Sequence, residues 1–337
     1  MDAPSPDDPL PSHGREPLFS SLSQATGILA AVSGGPDSMA MMHLLARWAP
    51  EDRPPLFVAT VDHGLRPEAA EEAAFVAREA KALALSHRIL VWTGEKPETG
   101  LQEAAREARY RLLVQHAQEI GASHLVTAHT LDDQAETILM RLAKGSGLKG
   151  LAGMRRERDL GGIVHARPLL DRSKGELLAL CETSGWRFVT DPSNADERYA
   201  RVRWRRLMPL LAEEGLTADR LALLAERMAQ ADEALEITAR QALESAGPEA
   251  GEGSFSFRAA CLVREPFEIG LRILAQALAR IGLETVRLQR LEACLERLRT
   301  AIPAGNPLRL TIAGALLDLD RSGRLRVRPE PPRSRGR

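Results

Sequence analysis

The segment Ser33-Gly34-Gly35-Pro36-Asp37-Ser38 is the part of this chain best suited to chemistry on a phosphate. Two adjacent glycines let the backbone turn sharply and present N–H groups to one point. A helix starting at Ser38 would aim its positive dipole end at the same place. Ser33 and Ser38 add hydroxyl donors. Asp37 is out of place beside an anion unless a cation lies between them, so it is the expected ligand of a Mg²⁺ that bridges to the phosphates. The bland alternative is a turn followed by a helix cap. Placement straight after the apolar run Ile28 to Val32 and before a helix with apolar periodicity counts against that alternative.

Two other phosphate motifs fail on context. Gly145-Ser146-Gly147-Leu148-Lys149-Gly150 has the spacing G-x-G-x-x-G, but it follows a helical stretch, and a dinucleotide fold needs it straight after a strand. No G-x-x-x-x-G-K-[ST] occurs, which argues against a Walker-type NTPase.

The elements that must position this loop follow from periodicity. Strand-like runs at Ile28 to Val32, Leu56 to Val61, Arg88 to Trp92, His124 to Ala128, Ile163 to Ala166 and, more weakly, Arg187 to Thr190 alternate with helical stretches. Those stretches are Ser38 to Trp48, Glu68 to Ala84, Gln102 to Ile120, Leu131 to Ala143 and Lys174 to Thr183. The alternation predicts an α/β fold: a parallel twisted sheet with helices on both faces. Ligands in such sheets sit at the carboxyl ends of strands, so the residues following each run are the candidates. They include Val61-Asp62-His63-Gly64, Ala128-His129-Thr130-Leu131-Asp132-Asp133, Arg167-Pro168 and Thr190-Asp191-Pro192-Ser193-Asn194.

The alternation stops near Pro209. Amphipathic helices are expected at Leu216 to Ala246, Phe267 to Ile281 and Leu288 to Arg299, then a terminal hairpin from Leu308 to Val327 turning at Asp320-Arg321-Ser322-Gly323. The expected organisation is a flexible tail over 1–23, a first domain over 24–211, a smaller, mainly helical second domain over 212–329, and a basic tail over 330–337.

With 337 residues and 44% apolar content the chain can bury two cores. No basic start with an apolar stretch marks a signal peptide, and no apolar run suits a membrane, so a cytoplasmic protein is expected. Formal net charge is −1, so attraction to a nucleic acid would rest on local clusters such as Arg155, Arg156 and Arg158, or Arg198, Arg201, Arg203, Arg205 and Arg206. Cys181, Cys261 and Cys294 are far apart and form no Cys-x-x-Cys pair.

With Ala31-Val32 before it, the Ser33 to Ser38 loop resembles the SGGxDS loop of the N-type ATP pyrophosphatases, which adenylate a substrate and release pyrophosphate. Five further blocks narrow the resemblance to the tRNA(Ile)-lysidine synthetases: Val61 to Arg66, Gln102 to Tyr110, His129 to Thr137, Lys144 to Gly147, and Asp191-Pro192-Ser193-Asn194. Their order and separations match over about residues 28 to 209. One departure is Arg201-Val202, where the family usually has Arg-Asn.

The resemblance implies an adenine nucleotide α-hydrolase-like fold and a two-step reaction. ATP adenylates the C2 oxygen of the wobble cytidine in an isoleucine tRNA with a CAU anticodon; L-lysine then displaces AMP. It places ATP on Ser33, Gly34, Gly35, Pro36, Asp37 and Ser38. Asp133 and Glu136 would hold lysine, and Asp132 can share their helical face, since 132 and 136 are four apart and 133 and 136 three apart. Arg106 or Arg109 would serve lysine's carboxylate or a phosphate. Asp62, His63, Arg66, His129, Lys144, Asn194, Arg201 and Arg205 are further substrate-binding candidates, the second domain is implied to bind tRNA, and a homodimer stays open.

Five rival readings compete with this one. The acids could simply be a solvated helix start, where the dipole favours them. His129, Asp132, Asp133 and Glu136 could form a metal cluster of a phosphohydrolase, although only His63 and His165 could supply further imidazoles. A tRNA thiolase would need cysteines placed to carry sulfur, and an amide synthetase would carry or recruit a glutaminase, for which no candidate nucleophile domain exists. A non-catalytic tRNA-binding module would have little reason to keep Gly34, Gly35, Asp37 and Ser38 intact.

Overall fold

Alternation along the first strand decides which face each of its residues covers. In the computed structural model, which describes residues 18–48, 54–65, 68–97, 99–190, 200–283 and 286–330, Ile28, Ala30 and Val32 join one apolar cluster while Leu29 and Ala31 join another. The first cluster packs α1 (Pro36–Arg47), α2 (Glu68–Ala82) and α6 (Lys174–Ser184) on one face of a sheet. The second packs α3 (Leu101–Glu119) on the other through Leu113 and Ala117. Helices therefore cover both faces, as the alternation predicts.

The sheet runs in the order β3-β2-β1-β4-β6-β5, formed by β1 (Ile28–Ala31), β2 (Leu56–Asp62), β3 (Ser86–Val91), β4 (His124–Thr127), β5 (Glu157–Leu160) and β6 (Ile163–Ala166). All neighbours are parallel except β5, which runs antiparallel to β6. The chain steps outward from β1 to β3 and then returns through α3 to β4, on the other side of β1. Strand order reverses between β1 and β4, and their carboxyl ends are level: Ala31 pairs with Thr127. The crevice outside such a reversal is where open α/β sheets bind ligands.

Two differences from the sequence reading have physical causes. Residues 187–190 form no strand, because β5 already occupies the free edge of β6; Val189 N–H instead donates to Gly34 O at 2.8 Å. The expected tail contains Phe19 and Leu22, both buried against the first cluster.

The two compact units are 1–227 and 228–337, so the division falls beyond the composition change near 211. The reason is local. In α7 (Ala200–Glu213), Trp204, Met208 and Leu211 pack with Leu221 and Ala225 against Ala135, Ile138 and Leu139 of α4 (Leu131–Ala143). Leu221 and Ala225 belong to the start of α8 (Ala218–Ser245), which carries the chain into the second unit.

In the second unit the expected hairpin is the middle of a five-stranded antiparallel sheet, β7-β8-β11-β10-β9. Its strands are β7 (Glu249–Gly251), β8 (Ser254–Arg258), β9 (Leu308–Ile312), β10 (Ala315–Leu319) and β11 (Arg324–Pro329). Its apolar face packs Phe255, Phe257, Leu317, Leu325 and Val327 with residues of α10 (Phe267–Ala279) and α11 (Leu288–Ala301). The opposite face exposes Arg258, Arg309, Arg326 and Arg328. Between α8 and α10, the buried Arg272 donates to Asp232 Oδ1 at 2.8 Å and Glu236 Oε1 at 2.9 Å.

Candidate active site

The β1 end supplies an anion-binding turn. Gly34 has φ +92°, which L side chains avoid, and an added Cβ would also sit 3.4 Å from Val76. Gly35 caps α1, with Pro36 at its first position. A Cβ at Gly35 would meet open space, so the missing side chain leaves room for a ligand against the helix N-terminus. Ser38 Oγ donates to Gly35 O at 2.9 Å and accepts from Ser33 N–H at 3.2 Å, which ties the turn closed.

The β4 end supplies carboxylates. Thr130 caps α4 in a reciprocal box: its hydroxyl accepts from Asp133 N–H, while Asp133 Oδ2 accepts from Thr130 N–H at 3.0 Å. This box fixes Asp133 at the mouth of the crevice and carries Glu136, 1% exposed, one turn further on. Lys174, the first residue of α6, ties the acids together. Its Nζ lies 2.9 Å from Asp133 Oδ1 and 3.9 Å from Glu136 Oε1, and its backbone N–H donates to Asp132 Oδ2 at 2.7 Å. Arg205 Nε donates to the same Glu136 oxygen at 3.0 Å, leaving Glu136 Oε2 buried without a partner among the described residues.

The charges sort the acids. Burial would raise the Asp133 carboxyl, but Lys174 and the Thr130 backbone bond hold it at about 2. Asp37 is the opposite: burial, together with Asp133 and Asp132, pushes it up to about 6 despite Lys174 and Arg205. An ionised Asp37 therefore wants a cation. One carboxylate beside a phosphate-binding turn fits the protein share of a Mg²⁺–nucleotide site, in which phosphates and water would complete the shell. Among the described residues no three His, Cys, Asp or Glu side chains gather as a protein-only metal cage.

Behind the acids lies a basic wall. His129 and His165 are both held neutral, first by burial and then by surrounding arginines, at about 3 and about 2. The charges facing them include Arg106, Arg158, Arg167 and Arg201. Arg106 and Arg158 lie over the Tyr110 ring, at 5.1 and 5.6 Å. Burial, Arg106 and Arg201 lower the pKa of Arg109. Arg201 and Arg205, four apart on α7, reach the basic wall and the acids respectively.

The structure thus brings together Ser33 to Ser38, Arg106, Arg109, His129, Asp132, Asp133, Glu136, Arg201 and Arg205. Asp62 and His63 stand at the end of β2: Asp62 Oδ1 accepts from Gly64 N–H at 2.7 Å, and burial followed by Arg109 lowers His63 to about 4. Lys144 is exposed at the far end of α4, about 16 Å along the helix from Asp133. Arg66 and Asn194 lie outside the described residues. Sequence reasoning missed Lys174 and Thr127 as site residues, while Arg167 stood among its strand-end candidates. A lysine at the first position of a helix opposes the dipole, and that was a usable signal for Lys174.

Comparison with known proteins identifies the family. A family model described as a PP-loop domain matches residues 14–211. The tRNA(Ile)-lysidine synthase of Methylobacterium sp. (strain 4-46) is 53% identical, covering 99% of this chain and 98% of that protein. That of Rhodopseudomonas palustris is 50% identical, covering 95% of each. The solved U34-tRNA thiolase NcsA from Methanococcus maripaludis, with its 4Fe-4S cluster, superposes with TM-score 0.54 at 18% identity, over 63% of this chain and 74% of that one. That likeness concerns the fold.

The raised Asp37 carboxyl has a consequence for stability. Its folded pKa of about 6 exceeds its ordinary 3.8, so the unfolded chain releases this proton first; stability falls as pH rises from about 4 to 6 and stays lower above. Asp37→Asn should therefore stabilise the ligand-free protein at pH 7.5 by roughly 1–3 kcal/mol, with little effect at pH 4. Urea unfolding at both pH values measures this; destabilisation at pH 7.5 would contradict it.

Proposed function

Because the chain belongs to the PP-loop domain family and, within it, to the tRNA(Ile)-lysidine synthases, we propose that it joins L-lysine to C2 of the wobble cytidine in the CAU anticodon of an isoleucine tRNA. The enzyme is an ATP-dependent ligase. In the proposed route the C2 oxygen attacks the α-phosphate and pyrophosphate leaves. The lysine amine then attacks C2 and AMP leaves.

One observation carries this reading: the phosphate turn and the paired acids stand at the ends of adjacent strands, β1 and β4, level across the reversal of strand order. A nucleotide's phosphates and an amino acid's ammonium would then be held side by side, which is the proximity a two-step transfer requires. Backbone N–H groups and the α1 N-terminus would meet the negative charge that develops on the α-phosphate. Mg²⁺ on Asp37 would neutralise phosphate charge. Asp133 and Glu136 would take lysine's ammonium, and Arg106 or Arg109 its carboxylate or a phosphate.

Transfer RNA would meet basic residues on each unit taken by itself. Arg201 in the first unit suits a phosphate, and so do the exposed Arg258, Arg309, Arg326 and Arg328 on the sheet of the second. Asp62 and His63 would line the nucleotide side. Such a substrate implies a cytoplasmic enzyme, and no helix among the described residues is long and apolar enough to cross a membrane. A thiolase reading is disfavoured by the cysteines, all buried, with burial pushing each thiol up to about 11.

The direct test is transfer of labelled lysine to tRNA transcripts. Label should enter the isoleucine transcript and not the methionine one, and AMP release should require lysine and tRNA together. Equal AMP release without lysine, with no label on RNA, would refute the reading.

Lys174 gives a second test. Its ammonium occupies the place proposed for that of the substrate, so lysine must displace it. Lys174→Met should lower the lysine KM by roughly two- to fivefold, the worth of a partly exposed ion pair, whatever happens to kcat. A raised lysine KM would show that the two ammonium groups do not compete.

A further inference from the structure

The basic wall contains a chain of hydrogen bonds whose proton positions can be worked out from one end. Arg167 is 3% exposed; its Nη1 donates to Arg155 O at 2.6 Å and its Nη2 lies 3.1 Å from His165 Nδ1. Arg158 Nε donates to the same Nδ1 at 3.3 Å. A guanidinium can only donate, so His165 Nδ1 is an acceptor and carries no hydrogen. A neutral His165 then bears its hydrogen on Nε2, which lies 2.9 Å from Thr127 Oγ1 and must donate to it. The threonine hydroxyl has one hydrogen, committed away from His165, and its one other side-chain partner among the described residues is His129 Nδ1, 2.7 Å away. Donation to that nitrogen leaves no buried hydroxyl hydrogen unpaired. His129 Nδ1 is thereby an acceptor as well, and a neutral His129 carries its hydrogen on Nε2.

Nothing among the described residues takes a hydrogen bond from His129 Nε2, and this atom is not among the fully buried unpartnered ones. The ring lies two residues beyond the end of β4 and just before the cap of α4, so it stands between the acids and the arginines. Burial keeps both rings neutral, and the charges facing them, Asp133, Arg106, Arg158, Arg167 and Arg201, four cations against one acid, act on balance in the same direction.

We infer that Arg158 and Arg167, acting through His165 and Thr127, fix His129 in its neutral Nε2–H form, so that it gives the bound pyrimidine a hydrogen-bond donor and does not serve as a base. Thr127, His165, Arg158 and Arg167 are positioning residues in this arrangement, and His129 is the group that touches substrate. A pyrimidine offers carbonyl oxygen and ring nitrogen as lone-pair acceptors, and a neutral N–H matches these where the neighbouring arginines match phosphates. The proton that lysine must lose before it attacks then leaves by a route other than His129. The role for substrate rests on the function proposed above; the proton placement does not.

The test separates the two. In protein labelled with ¹⁵N at its 8 histidines, long-range ¹H–¹⁵N correlation spectra report which ring nitrogen carries hydrogen, with the His129 signals assigned by their loss in His129→Gln. At pH 7 the wild type should show His129 neutral, with hydrogen on Nε2. Hydrogen on Nδ1, or on both nitrogens, would overturn the inference whether or not the enzyme transfers lysine.

Thr127→Val removes the connecting hydroxyl, so His129 should lose its preference between tautomers; Thr127→Ser should keep it. In lysine transfer, Thr127→Val should lower kcat at least about tenfold with the lysine KM unchanged, and Thr127→Ser should restore it. A Val variant that keeps the Nε2–H form would also overturn the relay. If the spectra are as expected and lysine transfer is absent from the wild type, the relay stands and the proposed substrate is what fails.

Discussion

The ion pairs of Lys174 hold the centre of this structure together. Asp37, Asp132, Asp133 and Glu136 converge from two strand ends into a partly desolvated crevice, where like charges and lost hydration both oppose ionisation. Lys174 meets three of them at once, through its ammonium and its backbone N–H, and Arg205 meets the fourth contact at Glu136. Asp37 makes no ion pair of its own among the described residues, and burial with the nearby Asp133 and Asp132 pushes its carboxyl up to about 6. The site is thus balanced for every acid but the one that faces the phosphate turn, which is where a nucleotide would bring its own metal ion.

The fold explains why these groups meet. The return through α3 sets β4 beside β1, so the turn after one strand and the helix cap after the other open into the same crevice. α7, packed on α4 by Trp204, Met208 and Leu211, then swings Arg201 and Arg205 over the same helix. Charge is segregated within this space. Acids line the side next to the turn, arginines the side next to β6, and the neutral His129 lies between them. Segregation of this kind suits the proposed reaction, which must hold a polyanionic triphosphate, an ammonium and an RNA backbone at once.

Much of this was legible in the sequence where local chemistry decides the outcome. α4 begins at Leu131 because Thr130 and Asp133 form a cap, which the spacing carries on its face. β1 was visible because its apolar residues are bracketed by the glycine turn. What was not legible depends on partners distant in sequence or on elements without apolar pattern. Lys174 lies 41 residues from Asp133, and no periodicity links them. β5 is a polar edge strand, with Glu157, Arg158 and Asp159 exposed, so no alternation marks it. α7 is rich in arginine and carries Pro209 in its interior, and a proline normally reads as a helix end. The relay from Arg167 to His129 runs through His165 on β6 and Thr127 at the end of β4, and no spacing in the sequence links these four residues.

In the proposed order of events, RNA is activated on the α-phosphate at the β1 turn before the acids at β4 deliver lysine. ATP labelled at the α-phosphate, incubated with enzyme and isoleucine tRNA but no lysine, probes that order through the label on the RNA. The label should become attached to tRNA and be discharged as AMP when lysine is added. Label that never joins the RNA, with ADP and phosphate as products, would rule the order out.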